Sequence, residues 1–336
     1  MCNMGLKKGG AMEKQEQMLA AASMYYLQDL KMEAIAGRLH LSRSSVSRLL
    51  KEARARGLVE ITLRSPPTAA PEVGRRIQDA FGITTHVVPL GASASAPERL
   101  EQVALTSARL IGGWFDSGMT MGVAWGTTMA AITRHLAKKP TRGSAVVQLN
   151  GSANTRTYGV EFAGEMMVRF GEAFDARLHL FPVPAFFDYA ETRQAMWRER
   201  SVARVLDLQR TADIALFGVG ALTGEVPSHV YSAGYLEQDD IRALTRDGVV
   251  GDVCTVFLRA DGTYEDLDLN RRATGPTPAE LQAVPRRVCA AAGDNKAAPL
   301  LAALRSQAVT DLVVDEITAQ ALVEVMSATE HAAAIR

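Results

Sequence analysis

From Glu13 to Ala55 apolar residues return every three or four positions, no proline interrupts, and good helix formers dominate. This spacing predicts three helices: Glu13–Asp29, Lys31–Leu39, and a third that begins after Ser42 and ends before Gly57. Ser42 suits an N-cap, because its hydroxyl can accept from a free first-turn amide, and Gly57 suits a C-terminal stop. Leu58–Leu63 (LVEITL) alternates apolar and polar residues like a short strand. Ser65–Pro71 (SPPTAAP) reads as a linker, and residues 1–12 as a flexible start.

Beyond Pro71 the period changes, and short β-branched runs alternate with helical ones. The predicted order is Thr85–Val88, helix Glu98–Trp114, Thr120–Ala124, helix Thr127–Leu136, Ala145–Leu149, helix Gly159–Phe170 and Arg177–Leu180. It continues with helix Thr192–Leu208, Ile214–Val219, helix Glu237–Thr245, Val253–Leu258, Arg287–Ala291, helix Lys296–Leu304, Asp311–Val314 and helix Glu316–Val325. Strands alternating with helices imply a mostly parallel, doubly wound α/β sheet. The expected organisation is a helical head over 13–64 and an α/β body over 72–330.

Charge sharpens that division. The 336 residues carry 37 basic and 37 acidic side chains, yet residues 1–64 are net +5 and the remainder net −5. A basic head fits nucleic acid, and a neutral total conceals it. Three cysteines (Cys2, Cys254, Cys289) form no disulfide framework and no metal-ligand spacing. The histidines are scattered without a ligating pair, so no metal and no cofactor are expected. No apolar run reaches the roughly 20 residues of a membrane span, and the start lacks a signal peptide's apolar stretch, so the expected location is the cytoplasm, with no membrane contact.

Within the head, MEAIAGRLHLSRSSVSRLLKEARARGLVEI places Ala36 inside the second helix, a tight connection at His40–Leu41, and a capped third helix rich in serine and arginine. This is a helix-turn-helix layout. Ile35, Leu39, Val46, Leu49 and Leu50 fall where the helices must pack. Ser44, Ser47, Arg48 and Lys51 remain as one polar stripe at i, i+3, i+4 and i+7, with Ser42 and Arg43 at its N-terminal end. Arginines can pair with guanine edges or phosphates while serines allow close approach, and Lys51, Arg54 and Arg56 are placed for phosphate. His40 stands where a turn of this kind favours glycine, because the position needs a positive φ.

In the body, an open parallel sheet binds ligands beyond its strand ends. Gly126, Thr127 and Thr128 follow a strand and open a helix, offering amides and hydroxyls to a phosphate or carboxylate, although a plain helix cap would look the same. The sequence there is neither a Walker A loop nor GxGxxG. Further polar strand ends are Gln148–Arg156 (QLNGSANTR), Phe217–Leu222 (FGVGAL), Asp247–Asp252 (DGVVGD) and Gly293–Lys296 (GDNK). Trp125, beside Gly126, either fills the core or lines a pocket.

The head, together with MGVAWGTTMAAI, FGVGAL, GYL, GVVGDVCTVFLRADG, GDNKAAPLLAAL and VTDLVVDEITAQALV in that order, closely resembles the SorC family of bacterial sugar-responsive transcriptional regulators, over nearly all of residues 15–327. The resemblance implies a winged-type helix-turn-helix joined to an effector domain similar to the sugar-phosphate isomerase and CoA-transferase fold. It also implies a dimer or tetramer whose hold on operator DNA is set by a sugar, polyol or sugar phosphate. By motif, Gly126, Thr127 and Thr128 would hold the anionic or polar end of the effector, and Gly151 and Ser152 the neighbouring loop, where paired glycines are frequent in the family. Lys296 would supply positive charge and Asp252 a hydroxyl acceptor.

Two function classes follow. The first is a ligand-controlled DNA-binding regulator without catalytic activity. The second is a sugar-phosphate isomerase-like enzyme with an added head, for which Asp252 and Lys296 could be base and oxyanion stabiliser but no second carboxylate stands at fixed spacing.

Overall fold

The computed structural model describes residues 6–59, 70–91, 93–154, 163–222 and 228–334. The chain divides into two compact units, Met1–Pro66 and Pro67–Arg336.

The first unit holds α1 (Leu6–Tyr26), α2 (Met32–Leu39) and α3 (Arg43–Ala55). Helix α1 starts inside the stretch expected to be flexible, since lysine, alanine, methionine and glutamate carry the helix back through Gly9 and Gly10. Met18, Ala21 and Ala22 of α1 meet Ile35 of α2 and Val46, Leu49, Leu50 and Ala53 of α3 in one buried cluster, with Leu39 and Leu41 packed on its edge. The turn between α2 and α3 is closed by His40, which sits in the left-handed region at φ 53°. The Leu41 amide donates to Ala36 O at 2.9 Å and the His40 amide to Gly37 O at 3.4 Å, a Schellman-type closure that satisfies the orphan carbonyls of α2. Ser42 caps α3, its Oγ accepting from the Ser45 amide at 3.1 Å. At the far end Gly57 has φ 70° and the Leu58 amide returns to Ala53 O at 2.9 Å. Leu58 and Val59 pack on the head cluster without forming a strand. The rest of the expected strand, and most of the expected linker, lie outside the described residues.

The second unit begins with α4 (Ala70–Phe81), β1 (Thr84–Val88), α5 (Ala96–Trp114), β2 (Thr120–Val123), α6 (Thr127–Thr133), β3 (Ala145–Gln148), α7 (Glu165–Phe174) and β4 (Arg177–His179). Next come α8 (Ala190–Trp197), α9 (Arg200–Arg210), β5 (Ile214–Phe217), β6 (Val219–Ala221), α10 (His229–Ser232), α11 (Gln238–Arg246), β7 (Val249–Val253) and β8 (Val256–Arg259). It ends with α12 (Pro278–Leu281), β9 (Arg286–Ala291), α13 (Ala297–Arg305), β10 (Asp311–Asp315) and α14 (Glu316–Ala334). Seven strands form a parallel sheet in the order β1-β10-β9-β5-β2-β3-β4. Both faces are covered, so the strands are apolar throughout. Met121, Val123, Ile214, Leu216, Val288 and Val313 point into one cluster with α5, α6 and α7. Ala215, Phe217, Cys289, Leu312 and Val314 point into the other, with α4, α13 and α14.

Three features depart from the sequence-based expectation. Helix α4 takes in Ala70 and Pro71, the end of the expected linker, and buries Ala70, Gly74 and Ile77; its proline lies in the first turn, where the missing amide costs nothing. The expected helix Thr192–Leu208 is two helices, because residues 190–197 bury no side chain and the packed stripe starts at Val202. The expected single strand Val253–Leu258 is a hairpin: β7 and β8 pair antiparallel around a two-residue turn, and with β6 they form a separate three-stranded sheet. That turn places Cys254 at φ 49° and Thr255 at φ 71°, where glycine or asparagine is usual, so nothing in the apolar run announced it.

The cap and the left-handed closure can be tested in the full-length chain. Ser42→Ala should cost about 1 kcal/mol of local stability and speed exchange of the Ser45 amide about fivefold. His40→Gly should slow exchange around α2 by relieving a left-handed residue. Unchanged exchange in both variants would contradict this account of the turn.

Candidate functional site

Beyond the carboxyl ends of the central strands lies a cavity of about 490 Å³. Ala124 to Met129 reach it from β2, Asn150 from β3, Gly218 to Gly220 from β5, and Ala292, Gly293, Asn295 and Lys296 from β9. Asp252, Cys254 and Thr255 enter from the β7–β8 hairpin, Ser228 to Val230 and Ser232 from α10, and Ala96, Pro97 and Leu100 from the first turns of α5. Strands β2 and β5 are neighbours whose crossovers leave in opposite directions along the sheet, which opens a crevice at their ends.

Asp252 is the one carboxylate among the described lining residues. It is 6% exposed. Its Oδ2 accepts from the Thr255 amide at 3.1 Å, while Oδ1 is buried with no hydrogen-bond partner. Burial pushes its pKa up, opposed by the Tyr231 hydroxyl, the Thr255 amide and the positive charge of Lys296. The Tyr231 hydroxyl lies close enough to influence it yet is also buried without a properly oriented partner. The carboxylate fits here because residue 220 is glycine: a Cβ there would stand 1.7 Å from Asp252 Oδ1.

Lys296 approaches from the other side. Its Nζ donates to Val219 O at 2.9 Å and to Ser228 Oγ at 2.8 Å, two of the three bonds an ammonium can make. Burial pulls its pKa down, partly offset by Asp252 and by Cys289. Opposite charges thus face one cavity with no salt bridge between them among the described residues, a state that costs desolvation on both sides. Trp125 forms a wall: its Nε1 donates to Gly151 O at 2.7 Å, and its ring stacks on Tyr235 with centroids 4.9 Å apart.

Of the body residues expected at the site, Gly126, Thr127, Thr128, Asp252 and Lys296 meet at this cavity, whereas Gly151 and Ser152 do not line it. Gly151 packs against backbone instead, since a Cβ there would lie 2.2 Å from Pro184 O, and its amide donates to Thr274 Oγ1 at 3.1 Å. Ser152 accepts from the Tyr235 hydroxyl through its carbonyl at 2.9 Å. The loop they form supports Trp125 and Tyr235 from behind. Arg156 lies outside the described residues. Asn150, one residue earlier in the same loop, is the side chain that reaches the cavity. Cys254 and Thr255 were hidden inside an expected strand, and Ser228 carries no sequence signal apart from its contact with Lys296.

In the head, Ser42, Arg43, Ser44, Ser47, Arg48, Lys51 and Arg54 are all exposed. Ser42 is occupied as the cap and meets the Ser44 hydroxyl at 2.9 Å. Arg43 pairs with Glu33 of α2 at 3.0 Å, and Glu52 holds Lys14 and Arg56. Among the described residues Arg48, Lys51 and Arg54 make no ion pair, so the middle of the stripe is uncommitted positive charge on a rigid, capped helix.

A helix-turn-helix unit followed in the chain by a doubly wound domain with a charged cavity at its switch point is the architecture of a ligand-responsive transcription factor. Residues 65–324 match the family model described as "Putative sugar-binding domain". The chain is similar to the deoxyribonucleoside regulator of Bacillus subtilis (strain 168), 29% identical over 311 residues that span 93% of this chain and 98% of the relative. It is similar to the solved domain of a possible sugar-binding transcriptional regulator from Arthrobacter aurescens TC1, 48% identical with a TM-score of 0.73 over 78% of this chain and 100% of that one. It shares its fold with the full-length sorbitol operon regulator SorC of Klebsiella pneumoniae, TM-score 0.67 at 21% identity over 92% of this chain and 99% of that one. The chain belongs to the SorC/DeoR family of sugar-binding transcriptional regulators. It is a regulator and not an enzyme. No helix among the described residues is long and apolar enough to cross a membrane.

The Gly220–Asp252 contact gives a direct test. Gly220→Ala should displace the carboxylate and lower stability by about 1–3 kcal/mol, the usual cost of overpacking, read as a lower thermal unfolding midpoint. Asp252→Asn should restore part of the loss in the double variant, because an amide bears displacement at lower cost than a buried charge.

Proposed function

We propose that this regulator reads operator DNA with the exposed face of α3 and takes a sugar, polyol or sugar phosphate into the cavity between β2, β5 and β9. The observation that carries the effector reading is that Lys296 and Asp252, both largely removed from water, face one cavity of ligand size without bonding each other among the described residues. A polyol hydroxyl can donate to the unpartnered Asp252 Oδ1, which an acceptor-only ligand could not satisfy. A phosphate or other anionic end would accept hydrogen bonds from the third Lys296 N–H and from the Thr127 and Thr128 hydroxyls. The Bacillus subtilis relative is a deoxyribonucleoside regulator and the Klebsiella pneumoniae protein a sorbitol operon regulator. Phosphorylated and free polyols both stay within the proposal.

In the head, Arg48 is assigned to base edges, and Lys51 and Arg54 to phosphate. Arg43, Ser44 and Ser47 complete the face, and Ser42 contributes through the cap it forms. Two heads reading half-sites one helical turn apart require a symmetric dimer or a tetramer, and the cytoplasm is the proposed location. Effector binding changes DNA affinity only as far as it favours one arrangement of heads over another. Asp252 is a single acid among the described lining residues, so the isomerase alternative lacks the second carboxylate its proton transfer needs.

A thermal-shift screen of sugars, polyols and their phosphates tests the cavity: a true effector at 100 times its Kd should add about 2.7 kcal/mol of stability. For an anionic effector, affinity should fall as pH rises through the lowered pKa of Lys296, below the ordinary 10.5, and Lys296→Met should abolish that dependence. No shift with any compound would remove the effector assignment.

For the head, Arg48→Ala should cost about 1–3 kcal/mol of operator binding and relax sequence preference, while Lys51→Ala should weaken all sequences alike and reduce the salt slope by about one. Titration of wild-type and variant protein against specific and random duplexes at several salt concentrations checks both; unchanged affinity and preference in Arg48→Ala would remove that residue from the readout.

A further inference from the structure

Arg99 is a buried arginine that neither the cavity lining nor the head explains. It lies in the second turn of α5 at 5% exposure, between Pro97 and Leu100, which line the cavity. Its Nη1 donates to Asp294 Oδ1 at 2.6 Å and stands 3.8 Å from Asp315 Oδ1. Its Nε is buried without a partner. The two carboxylates differ sharply: the Asp315 side chain is fully buried at the end of β10, whereas that of Asp294 is 75% exposed on the turn that carries Lys296.

Asp315 is itself fixed. Its Oδ1 accepts from the Thr318 amide at 3.0 Å and its Oδ2 from the Thr318 hydroxyl at 2.5 Å, and Thr318 Oγ1 accepts from the Gly293 amide at 3.0 Å. The start of α5 is held too, by the Ser95 amide and hydroxyl, which both donate to Glu98 Oε2 at 2.8 Å. Arg99 therefore has a rigid base, and its one outward bond reaches the turn Asp294–Lys296. The ties of that turn to the described residues include Asp294 to Arg99, the Gly293 amide to Thr318, and Lys296 to Val219 and Ser228. Of these, the first is the pair of full charges, and it joins the α5 wall of the cavity to the Lys296 wall.

We propose that Arg99 is a positioning residue for effector binding: anchored on Asp315, it grips Asp294 and thereby holds Lys296 in the cavity. The assignment rests on the effector reading of that cavity. An exposed ion pair would contribute little, but one whose cation is buried and preorganised keeps its geometry. Releasing Asp294 frees the turn, and Lys296 moves toward solvent and its ordinary basicity.

The test is the pH profile of Lys296 acetylation by an amine-selective acylating reagent, followed by peptide mass spectrometry on the full-length chain. Asp294→Asn should raise the limiting rate at high pH about tenfold, as loosening a charged local contact would. It should also move the profile upward in pH toward an ordinary lysine, with only a small drop in the overall thermal midpoint, because Asp315 still faces the buried Arg99 charge and the asparagine carbonyl keeps an acceptor for it. Arg99→Lys, which keeps a cation facing Asp294, should restore most of the wild-type profile. Arg99→Met strands Asp315 in the interior and could unfold the chain, so Asp294→Asn carries the decision. A wild-type rate and profile in Asp294→Asn overturns the proposal, as does a changed rate with an unmoved profile. Protection of wild-type Lys296 by ribose 5-phosphate, sorbitol or inorganic phosphate reads the effector assignment separately. If none protects, that assignment falls, while the ligand-free profiles still decide whether Arg99 positions the turn.

Discussion

The structure of the larger unit turns on a reversal of winding between β2 and β5. From β2 the chain moves through β3 to β4, and from β5 it moves the other way through β9 to β10. Right-handed crossovers then place α6 and α7 on one face and α13 on the other, so the segments leaving β2 and β5 diverge. Space opens where they part, and backbone from Trp125–Gly126, Gly218–Gly220 and Gly293–Lys296 surrounds it. The apolar alternation of the strands, with Leu216 facing one cluster and Phe217 the other, serves the sheet; the polar residues immediately past the strand ends serve the cavity.

That cavity holds its charges at a cost. Burial raises Asp252 and lowers Lys296, so each pKa moves toward the neutral form. For Asp252 the associated stability is present at low pH and is lost as pH rises through its raised pKa. For Lys296 it is present above the ordinary lysine value and is lost as pH falls through its lowered pKa. Wherever both are charged the empty site is therefore less stable than it would be with neutral groups, and neutral donors and acceptors, the Thr255 amide, Val219 O and Ser228 Oγ, carry the compensation. A polar ligand that supplies a donor to Asp252 and an acceptor to Lys296 removes the deficit. Binding energy is available here because the folded chain alone leaves it unrealised.

The head was legible because its determinants are local. Ser42, His40 and Gly57 act on neighbours within five residues, and the apolar period of α1 to α3 translates directly into one cluster. In the body, the parallel strands were legible for the same reason, but the hairpin was not. Cys254 and Thr255 adopt left-handed backbone that Gly275 accommodates from far along the chain, a Cβ there standing 1.6 Å from Cys254 O. The family resemblance places Gly151 in the effector loop, and in the fold its close approach is to the Pro184 backbone. Sequence identifies that a position needs glycine; only the fold identifies the neighbour.

The split of charge between the units limits how the proposed regulator can hold DNA. Some of the head's cations already have partners, Arg43 with Glu33 and both Lys14 and Arg56 with Glu52. Such surface pairs are weak and a phosphate can displace them, yet Arg48, Lys51 and Arg54 are the cations of α3 that enter an encounter without exchanging a partner. Three such cations with a few exchangeable ones release few counterions per head, so the electrostatic affinity of a single head is small at physiological salt. The net −5 remainder of the chain adds repulsion rather than attraction. One head is therefore too weak to hold an operator, and the proposed dimer or tetramer answers this by multiplying the contacts. In the proposed regulator, joining heads in this way is what lets an effector in the larger unit, by favouring one arrangement of heads over another, decide whether DNA is held.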